Sequence, residues 1–275
     1  MAPIIWKDRW AFITGPTSGI GKEFARQLAA RGSHLILVAR REDRLRELAA
    51  DLEQRYQIRT EVLVADLADR QSIDRIVRDL RQREIRVEHL INNAGFGYLS
   101  TIAQSDSNQV SDMIEVNCSA VTALVHAFLP AMLERRSGGI LTVASTVGFF
   151  PMPYMAAYAA SKAYAKSFMV ALGEELRGSG VRSLALCPGR VPTEFEVAAG
   201  FEESRPWLPG QLTAEETARL GIVQYERGRS LYISGFANLA LTFLARLLPA
   251  VWMAKIVGNG VKSSLGSSAA DGKMS

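Results

Sequence analysis

Cysteine and histidine are scarce in this chain. Cys118 and Cys187 are the two cysteines, and His34, His89 and His126 the three histidines, all far apart in sequence. No CxxC or zinc-type spacing exists, so neither a disulfide framework nor a metal site is expected, and a reduced, cytoplasmic chain is. Runs of one charge are missing too. The net charge of +4 is scattered, which fits a phosphorylated cofactor or an anionic surface and makes no case for nucleic acid. The apolar C-terminal segment, residues 231–257, also lacks a long hydrophobic run. The longest uncharged stretch there, Ser230 to Ala245, falls short of the roughly 20 apolar residues that span a bilayer. The opening MAPIIWKDRW reads as too short and too charged for a signal peptide. Residues 263–275, ending in GSSAADGKMS, are small and polar and read as a disordered tail.

What the chain does have is rhythm. Across its 275 residues, 48% hydrophobic and 22% charged, short apolar runs recur: WAFIT, HLILVA, TEVLVA, VEHLIN, GILTVA and VRSLALC. Such continuous runs suit strands of a parallel sheet covered on both faces. Between them lie segments of helical period. Leu45, Leu48 and Leu52 share one stripe of REDRLRELAADLEQRY, with charges opposite. The alternation predicts stacked βαβ units, hence a single-domain α/β protein with a Rossmann-type doubly wound parallel sheet. Residues 1–193 form the expected core. Residues 194–212, rich in Pro, Gly and aromatics, read as an excursion over the substrate. Residues 213–262 return to the same domain, with Thr213-Ala-Glu-Glu216 as a capping box, RSLYISG as a last strand and apolar helices after it.

The first strand ends in Thr14-Gly15-Pro16-Thr17-Ser18-Gly19-Ile20-Gly21, and a helical stretch follows at once. Glycines let backbone approach a phosphate, and a helix N-terminus offers free N–H groups and a positive dipole end. A tight turn alone would need one glycine, so the loop reads as a dinucleotide cradle. The second strand ends in Val38-Ala39-Arg40-Arg41, with no acid at its tip. Guanidinium groups there suit a 2′-phosphate, so NADP(H) is expected over NAD(H). Asp66, followed by Leu67, ends the third strand and is placed to accept from an adenine amino group. Asn92-Asn93-Ala94-Gly95 ends the fourth, where ligands sit in open α/β sheets.

The stretch AAYAASKAYAK, from Ala156 to Lys166, puts Tyr158 and Lys162 one helical turn apart on one face. Spacing alone leaves two readings, solvated neighbours or one chemical device.

TGPTSGIG, NNAG and Tyr158-Ala-Ala-Ser-Lys162, in this order, resemble the short-chain dehydrogenase/reductase (SDR) family over residues 10 to about 193. The resemblance adds Ser145, thirteen residues before the tyrosine, and Asn117 in IEVNCSA. It also adds Pro188-Gly189, with Val191 and Thr193 at the nicotinamide end. Asn117, Ser145, Tyr158 and Lys162 are thus the implied catalytic set. Gly15, Thr17, Ser18, Gly19, Ile20, Gly21, Arg40, Arg41, Asp66, Leu67, Asn93, Ala94 and Gly95 join Tyr158, Lys162, Pro188, Gly189, Val191 and Thr193 as expected cofactor contacts. By resemblance, Ser145 orients the substrate oxygen, Lys162 holds the nicotinamide ribose and Asn117 anchors a proton-relay water. Hydride transfer to a ketone leaves charge on oxygen that a donor must quench. A free phenol has a pKa of about 10, and an ammonium one turn away should acidify it. Ser161, Tyr164 and Lys166 are expected to point away from that pair. Pro16 stands where a small residue is commoner in the family.

Phe149, Phe150, Met152, Met155, Phe195, Phe201 and Trp207 are candidate walls for a small hydrophobic carbonyl or alcohol substrate. The C-terminal third resembles less well-defined reductases and, distantly, steroid and long-chain 3-oxoacyl reductases. Its apolar segment 236–257 reads as a buried or dimer-interface helix, with contact to a membrane surface as the alternative. A homodimer or homotetramer through Asp106–Arg135 and Met155–Arg177 is implied by the family. The competing functional readings are a membrane-surface reductase of lipid-like ketones and a non-catalytic dinucleotide-binding regulator.

Overall fold

The structure, a computed structural model, describes residues 3–200 and 211–270, with side chains to residue 262. Among the described residues seven strands follow in chain order: β1 Trp10–Thr14, β2 His34–Ala39, β3 Thr60–Val64, β4 Val87–Asn92, β5 Gly139–Val143, β6 Arg182–Cys187 and β7 Leu231–Ile233. All pair in parallel in the order β3-β2-β1-β4-β5-β6-β7. The order reverses between β1 and β4, and the crevice at that switch point opens at the strands' carboxyl ends. The apolar runs become strands because both sheet faces are covered. Every residue of β4, β5 and β6 is buried.

The helices are α1 Gly19–Ala29, α2 Glu42–Tyr56, α3 Arg70–Gln82, α4 Ser107–Ile114, α5 Ala120–Arg135, α6 Ala156–Glu175, α7 Glu194–Ala198, α8 Ala214–Glu226, α9 Phe236–Leu247 and α10 Ala250–Ala270. Helices α1, α2 and α8 cover one sheet face through Phe24, Leu28, Leu45, Leu52 and Ile222. Helices α3, α5 and α6 cover the other through Ile76, Leu80, Leu124 and Met169. Capping fixes several starts. Asp69 accepts from the backbone N–H groups of Gln71 and Ser72, and Thr213 with Glu216 forms the expected capping box. Each such cap satisfies N–H groups that a helix start otherwise leaves without a partner.

Three segments add detail to the sequence expectations. The excursion at 194–212 begins as helix, since α7 runs from Glu194 to Ala198, while residues 201–210 lie outside the described residues. The segment expected as tail is helical through Ala270, because α10 is already nucleated and adding a residue to a formed helix is easy. Segment 236–257 is not buried within the single chain, since Phe236, Phe243, Leu244, Leu247, Val251, Trp252 and Ile256 are all exposed, which leaves the interface and membrane-surface readings of it.

Helices α4 and α5, joined through one π-helical turn at Glu115–Ser119, form one 29-residue helical stretch long and apolar enough to cross a membrane by length and composition alone. Half of its most apolar window is buried inside the protein, where α5 packs on β4 and β5.

Candidate active site

The crevice is a cleft of about 620 Å³. One end is the loop Gly15–Gly21 and the N-terminus of α1, whose first-turn N–H groups have no intrahelical partner. Gly21 must be glycine, for a methyl there would meet the Gly15 carbonyl oxygen at 2.2 Å and Asn93 Nδ2 at 2.3 Å. The loop is thereby locked to the end of β4. Asn93 Nδ2 donates to the carbonyls of Thr14 and Gly15, both at 3.0 Å. Thr14 Oγ1 accepts from the N–H groups of Asn93 and Ala94, both at 2.9 Å. Thr14 escaped the sequence reading, although a threonine closing a strand ahead of a glycine loop is a visible signal.

Arg40, Arg41, Asp66 and Leu67 line the rim. Arg41 stands at the N-cap of α2, and its side chain leaves the cap unfilled to reach across the loop. It donates to Thr17 Oγ1 at 2.8 Å and Ser18 Oγ at 3.3 Å, and to Glu194 at 2.9 Å. Glu194 also accepts from Arg44 at 2.8 Å, and these arginines hold its carboxyl below the ordinary value. Arg40 is more exposed and lies 3.8 Å from Asp66, whose Oδ1 accepts from the Ala68 N–H. Two guanidinium groups beside a helix N-terminus fit the anionic groups of a dinucleotide. Pro188, Gly189, Val191 and Thr193 close the far side, and Ala94 and Gly95 the floor.

At the inner end sit Ser145, Tyr158 and Lys162. Tyr158 and Lys162 project from α6 and are 8% and 5% exposed. The phenol hydrogen-bonds with Ser145, and burial, the larger influence, raises its pKa above the ordinary value. Lys162 Nζ donates to the Val143 carbonyl at 2.9 Å and lies 5.9 Å from the centre of the Tyr158 ring. Burial brings its pKa down to about 8. The expected acidification of Tyr158 by Lys162 is therefore not what the protein alone produces. Desolvation disfavours phenolate and ammonium alike and outweighs their mutual attraction at this separation.

Asn117 does not line the cleft. It stands behind it on the π-helical turn, a distortion that often marks functional sites. Its Oδ1 accepts from the Phe96 N–H at 3.2 Å. Its Nδ2 donates to the Phe96 carbonyl at 2.9 Å and to Ser161 Oγ at 3.0 Å. Ser161 in turn donates to the Tyr158 carbonyl at 2.7 Å. Ser161, expected to point elsewhere, thus ties Asn117 to α6. A methyl on Gly95 would lie 2.8 Å from Asn117 Oδ1 and 3.0 Å from Lys162 Nζ, so both groups converge on that backbone. Tyr164 and Lys166 lie apart: Tyr164 bonds Thr122 at 2.7 Å, and Lys166 the Gly148 carbonyl at 2.5 Å.

Of the expected substrate walls, Met152, Met155 and Phe195 line the cleft, joined by Phe96, Val116 and Val147, which sequence reasoning missed. Phe195 packs against Tyr158 with ring centres 5.6 Å apart and planes tilted by 41°. Phe149 and Phe150 do not line it. The tight helical turn at Thr146–Phe149 turns Phe149 toward Ala144, Ala165 and Cys187, between the cations of Lys166 and Arg246. Phe201 and Trp207 lie outside the described residues.

A doubly wound sheet with this loop, this tyrosine–lysine helix and this serine defines a dinucleotide-dependent oxidoreductase scaffold. Residues 9–203 match the family model described as short chain dehydrogenase, and the chain belongs to that family. The human protein named Inactive hydroxysteroid dehydrogenase-like protein 1 is 33% identical over 264 residues, spanning 92% of this chain and 77% of its own length. The very-long-chain 3-oxoacyl-CoA reductase of Phaeosphaeria nodorum is 40% identical over 179 residues, 64% of this chain and 52% of that protein. A solved short-chain dehydrogenase from Sphingobium yanoikuyae, in complex with NADPH, is similar with a TM-score of 0.77 at 30% identity, over 94% of this chain and 95% of that one.

Proposed function

We propose that this protein is an NADP(H)-dependent oxidoreductase that interconverts a bulky hydrophobic ketone or aldehyde and its alcohol, with Tyr158 as the acid and base. The observation that carries this reading is the convergence of Ser145, Tyr158 and Lys162 at the apolar end of the cleft whose other end is the glycine loop. When bound, the nicotinamide cofactor supplies or accepts the hydride. Everything else falls to the chain. Arg40 and Arg41 support a 2′-phosphate, and the NADPH carried by the Sphingobium relative agrees with them. Burial keeps the Tyr158 phenol protonated, the state needed to give a proton to an oxygen becoming an alkoxide. Ser145 donates to the same oxygen and fixes its direction. Lys162, with a pKa near 8, exchanges protons close to neutrality and can return one to Tyr158.

Met152, Met155, Val147 and Phe195 support an apolar carbonyl compound, a preference shared with the name of the 3-oxoacyl-CoA reductase relative. Two separated free cysteines suit a reducing, cytoplasmic compartment. Exposed apolar residues on the helices expected to mediate assembly, Ile114, Leu133, Tyr164 and Val170, support a homodimer or homotetramer.

The test is oxidation of NADPH and NADH across aliphatic, aromatic, steroid and 3-oxoacyl ketones, with Tyr158→Phe beside the native chain. Turnover should favour NADPH and fall in the variant by about 10²–10⁴-fold, while NADPH binding by calorimetry holds. A variant as active as the native chain would remove Tyr158 from the chemistry. Binding without turnover in either protein would favour the regulator reading, which the name of the human relative keeps in view.

A further inference from the structure

Helix α9 is built inside out. The residues it turns toward the protein are small or polar: Asn238 is half-buried, and Thr242 and Ala245 are 1% and 6% exposed. Its outward residues are large and apolar, with Phe236 86%, Phe243 62%, Leu244 58% and Leu247 66% exposed. Asn238 and Thr242 satisfy themselves on the helix, donating to the carbonyls of Ser234 at 2.7 Å and Leu239 at 3.0 Å. After Leu248-Pro249, α10 continues the apolar surface with Val251, Trp252 and Ile256, at 64%, 61% and 59% exposed. An isolated exposed leucine means little, but a contiguous patch of this kind marks a surface that something covers.

Charge decides what covers it. From Arg227 to Ala270 the sequence holds five cations and no acid, the neighbouring acids being Glu226 and Asp271. Arg246, Lys255 and Lys262 on the two helices are exposed. A second copy of the chain, docked about a twofold axis, would set this face against itself, and these cations would meet one another with no carboxylate on either helix to pair. An anionic lipid surface meets both features at once, the apolar side chains entering the acyl boundary and the ammonium and guanidinium groups the headgroups.

We propose that α9 and α10 form a docking face for an anionic membrane surface, on which the protein lies without crossing it. The face adjoins the site. Asn238 packs against Gly189, which lines the cleft, and Gly258 against Pro153, between the cleft residues Met152 and Met155. A docked molecule therefore holds the substrate end of its cleft next to the lipid. Delivery of an apolar carbonyl compound from that lipid rests on the proposed function; the docking does not.

The test is flotation of the full chain with phosphatidylcholine vesicles, with and without about 30% phosphatidylserine, read beside light scattering for its mass in solution. The chain should float with the anionic vesicles, be released by 0.5 M salt at least in part, and float several-fold less with phosphatidylcholine alone. Phe243→Asp with Leu247→Asp should lower the bound fraction about tenfold, while NADPH binding and turnover of a water-soluble ketone stay as in the native chain. Brominated acyl chains should quench native fluorescence through Trp252, and a Trp252→Phe chain should lose that quenching. This arm stands even if the double variant folds poorly. No flotation, with a native dimer that the double substitution splits, would assign the face to a second copy and overturn the proposal. No flotation and no dimer would overturn it as well. A chain inactive on every ketone that still floats would defeat the proposed function and leave the docking intact.

Discussion

At the scale of single residues, Lys162 is the most telling. It is a charge in a buried place, linked by one hydrogen bond to the Val143 carbonyl. Burial lowers its pKa from 10.5 to about 8. Below pH 8 the folded chain carries an ammonium that the unfolded chain hydrates better, and the cost is relieved only as pH rises from 8 to 10.5. At 1.36 kcal/mol per pKa unit, that cost is about 3 kcal/mol at neutrality, an order of magnitude comparable to the hydrogen bond that offsets it. Lys162→Met keeps the volume and removes the charge. Its midpoint of thermal unfolding at pH 7 should equal or exceed that of the native chain, while turnover falls by at least about 10²-fold. Paired scanning calorimetry and ketone-reduction rates check this. A clear loss of stability would mean that the ammonium is better solvated than its burial implies, and that Lys162 serves the fold as well as the reaction.

At the scale of elements, α7 joins the two ends of the cleft. Glu194 holds Arg41 and Arg44 at the glycine-loop end, and the next residue, Phe195, packs against Tyr158 at the inner end. Glu194 therefore competes with any anion that Arg41 binds. Glu194→Gln should tighten NADPH about three- to tenfold and leave NADH within twofold, a modest gain because the pair is half exposed and screened. Calorimetric titration with each cofactor decides it, and equal gains for both would place Glu194 away from the 2′-phosphate. This helix also shows where the sequence stopped being legible. The strands announced themselves as apolar runs, and Thr213-x-x-Glu216 as a cap, because both signals are local. The glycine loop and the Tyr158–Lys162 step were legible for the same reason. Phe195 on Tyr158, and Asn117 bonded to Ser161, join residues brought together only by the crossovers of the sheet. The inversion of α9 was hidden differently. Its composition reads as a buried helix, and only the packing shows that Asn238, Thr242 and Ala245 face inward.

At the scale of the whole molecule, the sheet is anchored at the end away from the cleft by a buried aromatic cluster. Trp6 of the N-terminal segment packs against His89 of β4, ring centres 4.2 Å apart, and His89 Nδ1 hydrogen-bonds the Tyr225 hydroxyl of α8 at 2.9 Å. Trp6 Nε1 also donates to Glu226 at 2.7 Å. Three distant stretches of chain thus close on one imidazole. Burial, with Arg182 nearby, pushes its pKa down to about 3, whereas in the unfolded chain a histidine titrates near 6.5. Between those values the unfolded chain binds a proton that the folded chain refuses, so stability rises with pH across that window and is lost progressively as pH falls from 6.5 toward 3. From pH 7.5 to 5.0 this one group should remove about 2 kcal/mol. His34, also lowered by burial, acts in the same direction more weakly. The carboxyls held low by their partners, Asp69, Glu194 and Glu216, act mostly below that interval. Urea unfolding at the two pH values should show the loss in the native chain and a smaller one, by about 2 kcal/mol, in His89→Gln. The glutamine can still bond the Tyr225 hydroxyl but binds no proton in either state. If the two chains lost stability in parallel, His89 would be reached by water, and the N-terminal segment would not seal the sheet as its contacts with Trp6 imply.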